Sequence, residues 1–386
     1  MMRSLLRSMF VVSLVGAISA CGGLGGTTDD EENGGVAPLP DFEATLKLDK
    51  VWSYRGDGAG EYFIKLLPAV ESSHIFVTDI SGKVTALDSQ TGKTEWRTKL
   101  KEDVTSGIGA GFGKLFLGTR GGKIIALNQE DGSSSWSAVL SSEILSVPSS
   151  NGKVVVVHAA DEKIYGLDHE TGEQLWSYES VLPSLTLRGT ANPATTNNIA
   201  LVGLANGKLV ALDIDSGRVL WDKRISVPQG RSELDRMTDI DGDPLLAADM
   251  VYVTALHGKV SAIELSSARV KWQNDLSSFQ GVDEGLANIY VVDTADHIHA
   301  LDQNTGNTVW KQSDLAHRGL TTPATMGNYL VVGDSEGYLH LMSQIDGQFL
   351  ARKRVDSEGV LSKPLTAGGL LYVLGNSGRL SAYRIN

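Results

Sequence analysis

A fifteen-residue phrase that ends in tryptophan recurs through this chain of 386 residues. The copies end at Trp96, Trp136, Trp176, Trp221, Trp272 and Trp310. The spacings between these tryptophans are 40, 40, 45, 51 and 38 residues. A repeat of this length is typical of arrays of identical supersecondary units. One repetitive body is therefore predicted rather than several unrelated domains.

Each copy has the pattern of strand, turn and strand. Val84–Leu87 places apolar or β-branched residues on both faces, which suits a strand covered on both sides. In the next turn, Asp88 can accept hydrogen bonds from nearby backbone, and Gly92 supplies a positive φ without steric cost. Because Ala86 is small where the tryptophan is large, we expect it to receive the ring of a neighbouring blade.

The number of copies predicts the number of blades. Eight phrases centre on Ala86, Ala126, Gly166, Ala211, Ala262, Ala300, Leu341 and Ala382. The eighth copy has no tryptophan, whereas Lys50–Trp52 near the other end resembles an outer strand without its phrase. We therefore predict an all-β fold, an eight-bladed β-propeller of four-stranded antiparallel blades over residues 42–386. An N-terminal strand would complete the last blade and remove the open edge of the ring.

The N-terminal segment is typical of an export signal. Arg3 and Arg7 precede a short apolar run, and Ser19 and Ala20 lead into Cys21, the single cysteine. This order resembles a bacterial lipobox, which implies a signal peptide over residues 1–20 and a lipid on Cys21. Residues 21–41 are predicted to form a flexible, lipid-anchored tether, because they are rich in glycine and acidic residues. The Gly that follows the cysteine favours, by resemblance, the outer membrane over the inner one, with the protein facing the periplasm.

Composition excludes several classes of function. The formal net charge of −12 repels nucleic acid, so nucleic-acid binding is not expected. With one cysteine, the body of the protein has no disulfide and no thiolate metal site. The sequence contains no Ser-His-Asp pattern and no phosphate-binding loop. We therefore predict no catalytic residue, and the chain is not expected to be an enzyme.

Two short patterns raise the question of metal binding. Asp239-x-Asp241-x-Asp243 resembles the start of a calcium loop, but Pro244 and Met250 stand where such a loop needs Gly and Glu. His297-x-His299 places two imidazoles on one face of a strand, with no third ligand indicated. Both patterns are interpreted as structural, and no metal or cofactor is predicted.

The longest linkers between blades indicate a binding surface. Two adjacent linkers are stretched, from Trp176 to Pro193 and from Trp221 to Pro244, and both emerge on one face. Loops on a rigid scaffold are where binding residues concentrate. The first linker contains apolar Leu182, Leu185 and Leu187 beside Arg188, and the second is rich in acidic residues. An apolar patch with a charged rim is therefore predicted.

The repeated phrase, visible at Ala86, Asp88, Gly92 and Trp96, resembles the docking motif of bacterial quinoprotein dehydrogenases. In those enzymes these residues hold blades together, so the resemblance supports the fold more than the activity. A dehydrogenase or cofactor-binding propeller dependent on pyrroloquinoline quinone remains the alternative function. A WD40-type adaptor fits poorly, since Trp221-Asp222 occurs once and lacks the accompanying Gly-His.

A second resemblance covers the whole chain, from lipobox and tether to the stretches between repeats. Four stretches at residues 182–189, 232–241, 312–318 and 331–338 resemble the BamB family of outer-membrane protein assembly lipoproteins. The resemblance implies a non-catalytic scaffold in the β-barrel assembly (BAM) complex, with the POTRA domains of BamA and other BAM subunits as partners. Nascent outer-membrane proteins are a further implied partner. It also assigns partner binding to Leu185, Leu187, Arg188, Asp239 and Asp241.

Overall fold

Thirty-two strands make up the part of the chain that the computed structural model describes, which is residues 35–58, 64–187 and 189–386. Cys21, the predicted signal peptide, most of the predicted tether and Arg188 lie outside these residues. The strands form eight antiparallel four-stranded sheets. Among the described residues no helix is long and apolar enough to cross a membrane.

The first strand, β1 (Leu48–Arg55), belongs to the last blade. Blade 1 consists of β2 (Ala69–Glu71), β3 (His74–Thr78), β4 (Lys83–Asp88) and β5 (Thr94–Lys99). Blade 2 consists of β6 (Gly109–Gly111), β7 (Lys114–Gly118), β8 (Lys123–Asn128) and β9 (Ser134–Val139). Blade 3 consists of β10 (Ser149–Ser150), β11 (Val154–His158), β12 (Lys163–Asp168) and β13 (Gln174–Glu179). Blade 4 consists of β14 (Ala194–Thr195), β15 (Ile199–Gly203), β16 (Lys208–Asp213) and β17 (Val219–Arg224).

Blade 5 consists of β18 (Leu245–Ala247), β19 (Met250–Val253), β20 (Val260–Glu264) and β21 (Val270–Asn274). Blade 6 consists of β22 (Asp283–Gly285), β23 (Asn288–Val292), β24 (Ile298–Asp302) and β25 (Thr308–Gln312). Blade 7 consists of β26 (Ala324–Met326), β27 (Tyr329–Gly333), β28 (Tyr338–Ser343) and β29 (Phe349–Arg354). Blade 8 consists of β30 (Leu365–Ala367), β31 (Leu370–Leu374) and β32 (Arg379–Ile385), followed in space by β1.

Closure of the ring is as the sequence predicts. β1 pairs antiparallel with β32, and Trp52 lies opposite Ala382. In blade 1 the same register places Trp96 opposite Ala86. The N-terminal strand thus supplies both the missing outer strand and the missing tryptophan of blade 8, and the prediction of an eight-bladed propeller is confirmed.

The pairing of alanine with tryptophan differs from the expectation in one respect. The ring that lies over Ala86 comes from its own blade, since Trp96 is its cross-strand partner. A β-bulge directly after Ala86 inserts one residue into the outer strand, and bulges re-aim the neighbouring side chain. The expectation of a neighbouring blade's ring over Ala86 is therefore wrong, because register within the blade decides which ring covers the alanine.

The tryptophan ring then reaches the following blade. Trp136 packs on Gly172 of blade 3, and its indole N–H donates to the carbonyl oxygen of His169 at 2.9 Å. A Cβ on Gly172 would lie 2.3 Å from the ring, so only glycine fits. Equivalent indole hydrogen bonds join the other tryptophans to the next blade, donated by Trp52, Trp96, Trp176, Trp221, Trp272 and Trp310. The tryptophan thus links consecutive blades at seven of the eight junctions.

Blade 7 exchanges the large and small residues. Leu341 occupies the alanine position, and Ala351 lies opposite it where the other blades have tryptophan. Both are buried in the cluster that also contains Leu48 and Tyr383 of blade 8. Leucine is smaller than tryptophan, so this pair fills less volume than its counterparts, and residues of blade 8 pack beside it. The junction from blade 7 to blade 8 is consequently packed without an indole.

A segment before β1 contacts the connection between blades 6 and 7 and the outer strand of blade 7. The amide of Ala37 donates to the carbonyl oxygen of Ala316 at 3.0 Å, and Arg318 donates to that of Ala37 at 2.8 Å. Farther along, Phe42 stacks on Phe349 with ring centroids 5.4 Å apart. The described N-terminal residues are thus attached to the propeller before the closing strand begins.

Candidate functional site

Two long connections between blades lie side by side. Loop A (residues 180–193) links β13 to β14, and loop B (residues 225–244) links β17 to β18. Both lead from an outer strand to the innermost strand of the next blade, and they are the two longest connections of this kind. The predicted position of the lengthened linkers, on one face at neighbouring blades, agrees with this arrangement.

Acidic side chains of loop B hold the backbone of loop A. The carboxylate of Asp239 accepts a hydrogen bond from the Leu187 amide at 3.1 Å. Two residues on, the carboxyl group of Asp241 faces Gly189 closely enough that a Cβ there would lie 3.1 Å away. Residues at alternate positions of an extended segment point the same way. The alternate aspartates that resembled a calcium loop therefore contact the backbone of loop A.

The third alternate residue continues the same contact. Asp243 accepts hydrogen bonds from Asn192, from its amide N–H at 2.9 Å and from Nδ2 at 2.8 Å. Nearer the tip, Ser184 donates to Glu233 at 2.9 Å. The two loops therefore form one surface, which we call the paired-loop surface, held together along most of its length.

Burial changes the acidity of the two central carboxyl groups. Asp239 is 1% exposed, and burial raises its pKa to about 6 although the Leu187 amide opposes the shift. Burial also raises the pKa of Asp241 to about 8, with the nearby charge of Asp239 adding to the effect. The pKa of Asp243 is raised as well by desolvation, although hydrogen bonds from Asn192 oppose the shift. Asp241 therefore keeps its proton at neutral pH while Asp239 is largely ionised, which lowers the repulsion between the two groups.

Apolar side chains cover the outer side of the same loops. Of the large apolar residues that are exposed on the described body, one third lie here: Val181, Leu182, Leu185, Val227 and Leu234. Leu234 is 65% exposed and Val181 80% exposed, which is unfavourable for an isolated protein unless a partner covers them. The paired-loop surface is thus suited to binding a protein through apolar contacts.

The residues assigned from sequence fall into two groups. Leu185 is exposed on loop A, whereas Leu187 is half-buried and fixed through its backbone. Asp239 lies beneath the surface, so it does not form part of an outer charged rim. The structure brings Leu187 and Asp239 together, and Arg188 lies outside the described residues. Val227 and Leu234 were not singled out from sequence, although their position in the longest linker could have indicated them.

The fold and this surface define a class: an eight-bladed β-propeller with two enlarged, paired loops on one face. A family described as outer membrane protein assembly factor BamB matches residues 50–109, 80–312 and 295–386. The protein of that name from Pseudomonas aeruginosa is 50% identical over 350 residues, which covers 90% of this chain and 92% of the relative. The chain therefore belongs to the BamB family of outer membrane protein assembly factors.

Solved structures separate the two resemblances noted in the sequence. The crystal structure of BamB from Moraxella catarrhalis superposes with a TM-score of 0.81 at 27% identity, covering 88% of this chain and all of that one. A quinohemoprotein alcohol dehydrogenase from Comamonas testosteroni gives a TM-score of 0.71 at 15% identity, covering 87% of this chain and 76% of the enzyme. The second likeness is one of fold alone. The predicted family is confirmed, and its members are assembly factors rather than enzymes, in agreement with the predicted non-catalytic role.

Proposed function

We propose that this protein is a lipid-anchored, periplasm-facing scaffold of the outer-membrane β-barrel assembly machinery, and that it binds the POTRA domains of BamA. The observation that carries the proposal is the paired-loop surface, where exposed apolar side chains stand on loops that are braced by the buried carboxyl group of Asp239 and by Asp243. Rigid loops bind with less loss of conformational entropy than free ones. The choice of BamA as the partner is inferred from membership of the BamB family.

Two kinds of residue contribute to this binding. Leu182, Leu185 and Arg188 supply direct contacts, an apolar anchor next to a cation, and such residues dominate binding energy in interfaces. Asp239 and Asp241 hold loop A in place and act through it. Leu187 belongs to the second kind, because its amide is the group that Asp239 binds. The proposal thus keeps all five residues assigned from sequence and gives them separate roles.

Attachment to the membrane follows from the N-terminal sequence. A lipidated Cys21 and a tether would keep the propeller close to the outer membrane, since lipid chains gain about 0.8 kcal/mol per buried CH₂. Partner binding and anchoring are separable, because the first depends on the loops and the second on one cysteine. Contact with nascent outer-membrane proteins is a further part of the proposed role.

The binding surface is tested by pull-down of purified POTRA domains. Leu185→Glu and Arg188→Glu each place a carboxylate in the proposed contact, and we expect each to lose binding while the propeller stays folded. The matched control is Val139→Glu, since Val139 is 76% exposed on the outer strand of blade 2, away from both loops. Unchanged binding by both loop variants, or equal loss in the control, would contradict the assignment. Thermal unfolding of each variant separates loss of contact from loss of structure.

A further inference from the structure

Each blade has a position at or directly before the start of its third strand that shows a marked preference for cations. Three residues before the central small residue, six blades carry a basic side chain: Lys83, Lys123, Lys163, Lys208, Lys259 and Arg379. Blade 7 has Tyr338 at this position and blade 6 has His297. Blade 6 is thus the blade in which a titratable imidazole replaces the permanent charge.

The replacement brings three possible ligands together. Asp293 lies just before the turn, and its Oδ1 accepts the amides of Ala295 and His297, both at 2.9 Å. Its Oδ2 faces His297 Nδ1 at 3.0 Å and His299 Nε2 at 2.9 Å. The two histidines share one face of the strand because they are two residues apart. The one ligand atom that each of the three residues offers lies within 4.8 Å of the other two.

The chemistry of this set matches a transition-metal site. Two imidazole nitrogens and one carboxylate oxygen are ligands that Zn²⁺ accepts, and three protein ligands leave a position for water. The side chains are partly exposed, by 15% for Asp293, 13% for His297 and 9% for His299, so an ion can reach them.

Blade 7 shows what the same position becomes without a second histidine. The Oδ2 atom of Asp334 lies 2.9 Å from His340 Nε2 and 2.8 Å from Arg318 Nη2. His340 and Asp334 are fully buried. A guanidinium cation already neutralises that carboxylate, which leaves no room for an ion. Blade 6 has no arginine on Asp293 among the contacts of the described residues.

We propose that Asp293, His297 and His299 bind a divalent transition-metal ion of the Zn²⁺ type. The ion places a positive charge where six other blades carry lysine or arginine. It also fixes a turn that supports the connection to blade 7, because the His317 amide donates to the Ala295 carbonyl at 3.1 Å. In the same turn, Asp296 accepts the amides of Gly319 at 2.7 Å and Leu320 at 3.0 Å. The site is independent of the proposed partner binding.

The test uses untagged full-length protein in detergent, stripped of metal with a chelator. Titration with CoCl₂ is followed by visible absorption, and titration with ZnCl₂ by calorimetry. We expect one equivalent of each ion to bind, with the absorption of a four- or five-coordinate Co²⁺ site. His297→Lys and Asp293→Asn should weaken metal binding by about 100-fold or more. Loss of a residue that only supports a ligand weakens binding by about 10- to 100-fold, and loss of a ligand itself should cost at least as much.

The matched control is His74→Gln. His74 pairs with Glu95 at 2.6 Å as a surface pair without a third ligand, so its loss should leave metal binding unchanged. His297→Lys introduces the residue that five other blades carry, so thermal unfolding should show an intact propeller. Absence of binding by the wild type, or undiminished binding by folded His297→Lys, would overturn the proposal.

X-ray absorption at the zinc edge identifies the ligands of zinc in the metal-loaded wild type without any variant. A coordination shell of two imidazoles and oxygen ligands is the result that we expect. A sulfur ligand would indicate Cys21, and a shell of oxygen alone would indicate surface carboxylates; either result would overturn the assignment.

Discussion

The junction between blades 2 and 3 and the paired-loop surface over blades 3 to 5 belong to one ring, yet they are held by different means. At the junction, Trp136 packs on Gly172 in a contact that recurs around the ring. At the paired loops, Asp239 and Asp243 bind backbone in contacts that follow no repeat. The comparison teaches that periodic residues maintain the fold, which leaves the residues that break the period available for recognition.

The largest difference between the two regions should appear on truncation of a large apolar side chain. Trp136→Ala removes a buried ring and a hydrogen bond, and we expect it to lower the free energy of unfolding by about 3–5 kcal/mol. Leu185→Ala, on the exposed loop, should change it by less than about 0.5 kcal/mol. Denaturant unfolding of both variants measures the contrast. Similar losses would show that the loops also carry the stability of the ring.

A pair of glycines isolates the contribution of the ring contact. Gly172 and Gly113 both have positive φ, 74° and 79°, so alanine at either position costs about 1–2 kcal/mol through backbone strain. Gly113 has no neighbour within 4 Å of an added Cβ, whereas Gly172 would meet Trp136. Gly172→Ala should therefore be less stable than Gly113→Ala by a further 1–3 kcal/mol or so. Equal melting temperatures would contradict this packing role.

The smallest expected effect is a difference in response to pH. Because the folded state raises the pKa of Asp241 to about 8, it holds a proton that the unfolded chain releases above about pH 4. Stability should therefore fall as pH rises from about 4 to 8 and stay level above it, and the fall should be shallow because Asp241 keeps partial contact with solvent, which screens its charge. Asp241→Asn should flatten this slope in denaturant unfolding at several pH values. An unchanged slope would show that a group other than Asp241 causes the pH dependence.

The turns at the junctions should respond in the opposite direction. The hydrogen bonds from the Thr171 amide and hydroxyl lower the pKa of Asp168, so its contribution is present above the unfolded pKa and is lost as pH falls. Asp168→Asn therefore provides the control for Asp241→Asn: it should remove stability at neutral pH and little at low pH.

Much of the ring could be predicted from sequence because its contacts are local and repeated. The turn from Asp88 to Gly92 and the tryptophan after it determine each blade, and counting them yields the closing role of Trp52. The exchange of Leu341 and Ala351 was not foreseen, since it depends on a cross-strand register. Which blade's ring covers Ala86 was predicted wrongly for the same reason.

Less of the candidate sites could be predicted. Linker length located the loops, but the burial of Asp239 depends on loop A, whose path no local pattern specifies. In blade 6 the two histidines were visible in the sequence and Asp293 was not, because it lies across a turn. Residues that come together only after folding can be recognised as one site only when the fold is known.

Ring closure by β1 also affects when during synthesis the propeller can finish folding. Of the described strands, β1 is the first to be made and β32, with which it pairs, is the last. Pairings between segments so far apart in sequence form slowly, and an unpaired edge is exposed to wrong partners until they do. The closing step of folding must therefore wait for synthesis to reach the end of blade 8, so a chain delayed at that stage carries two open edges at once.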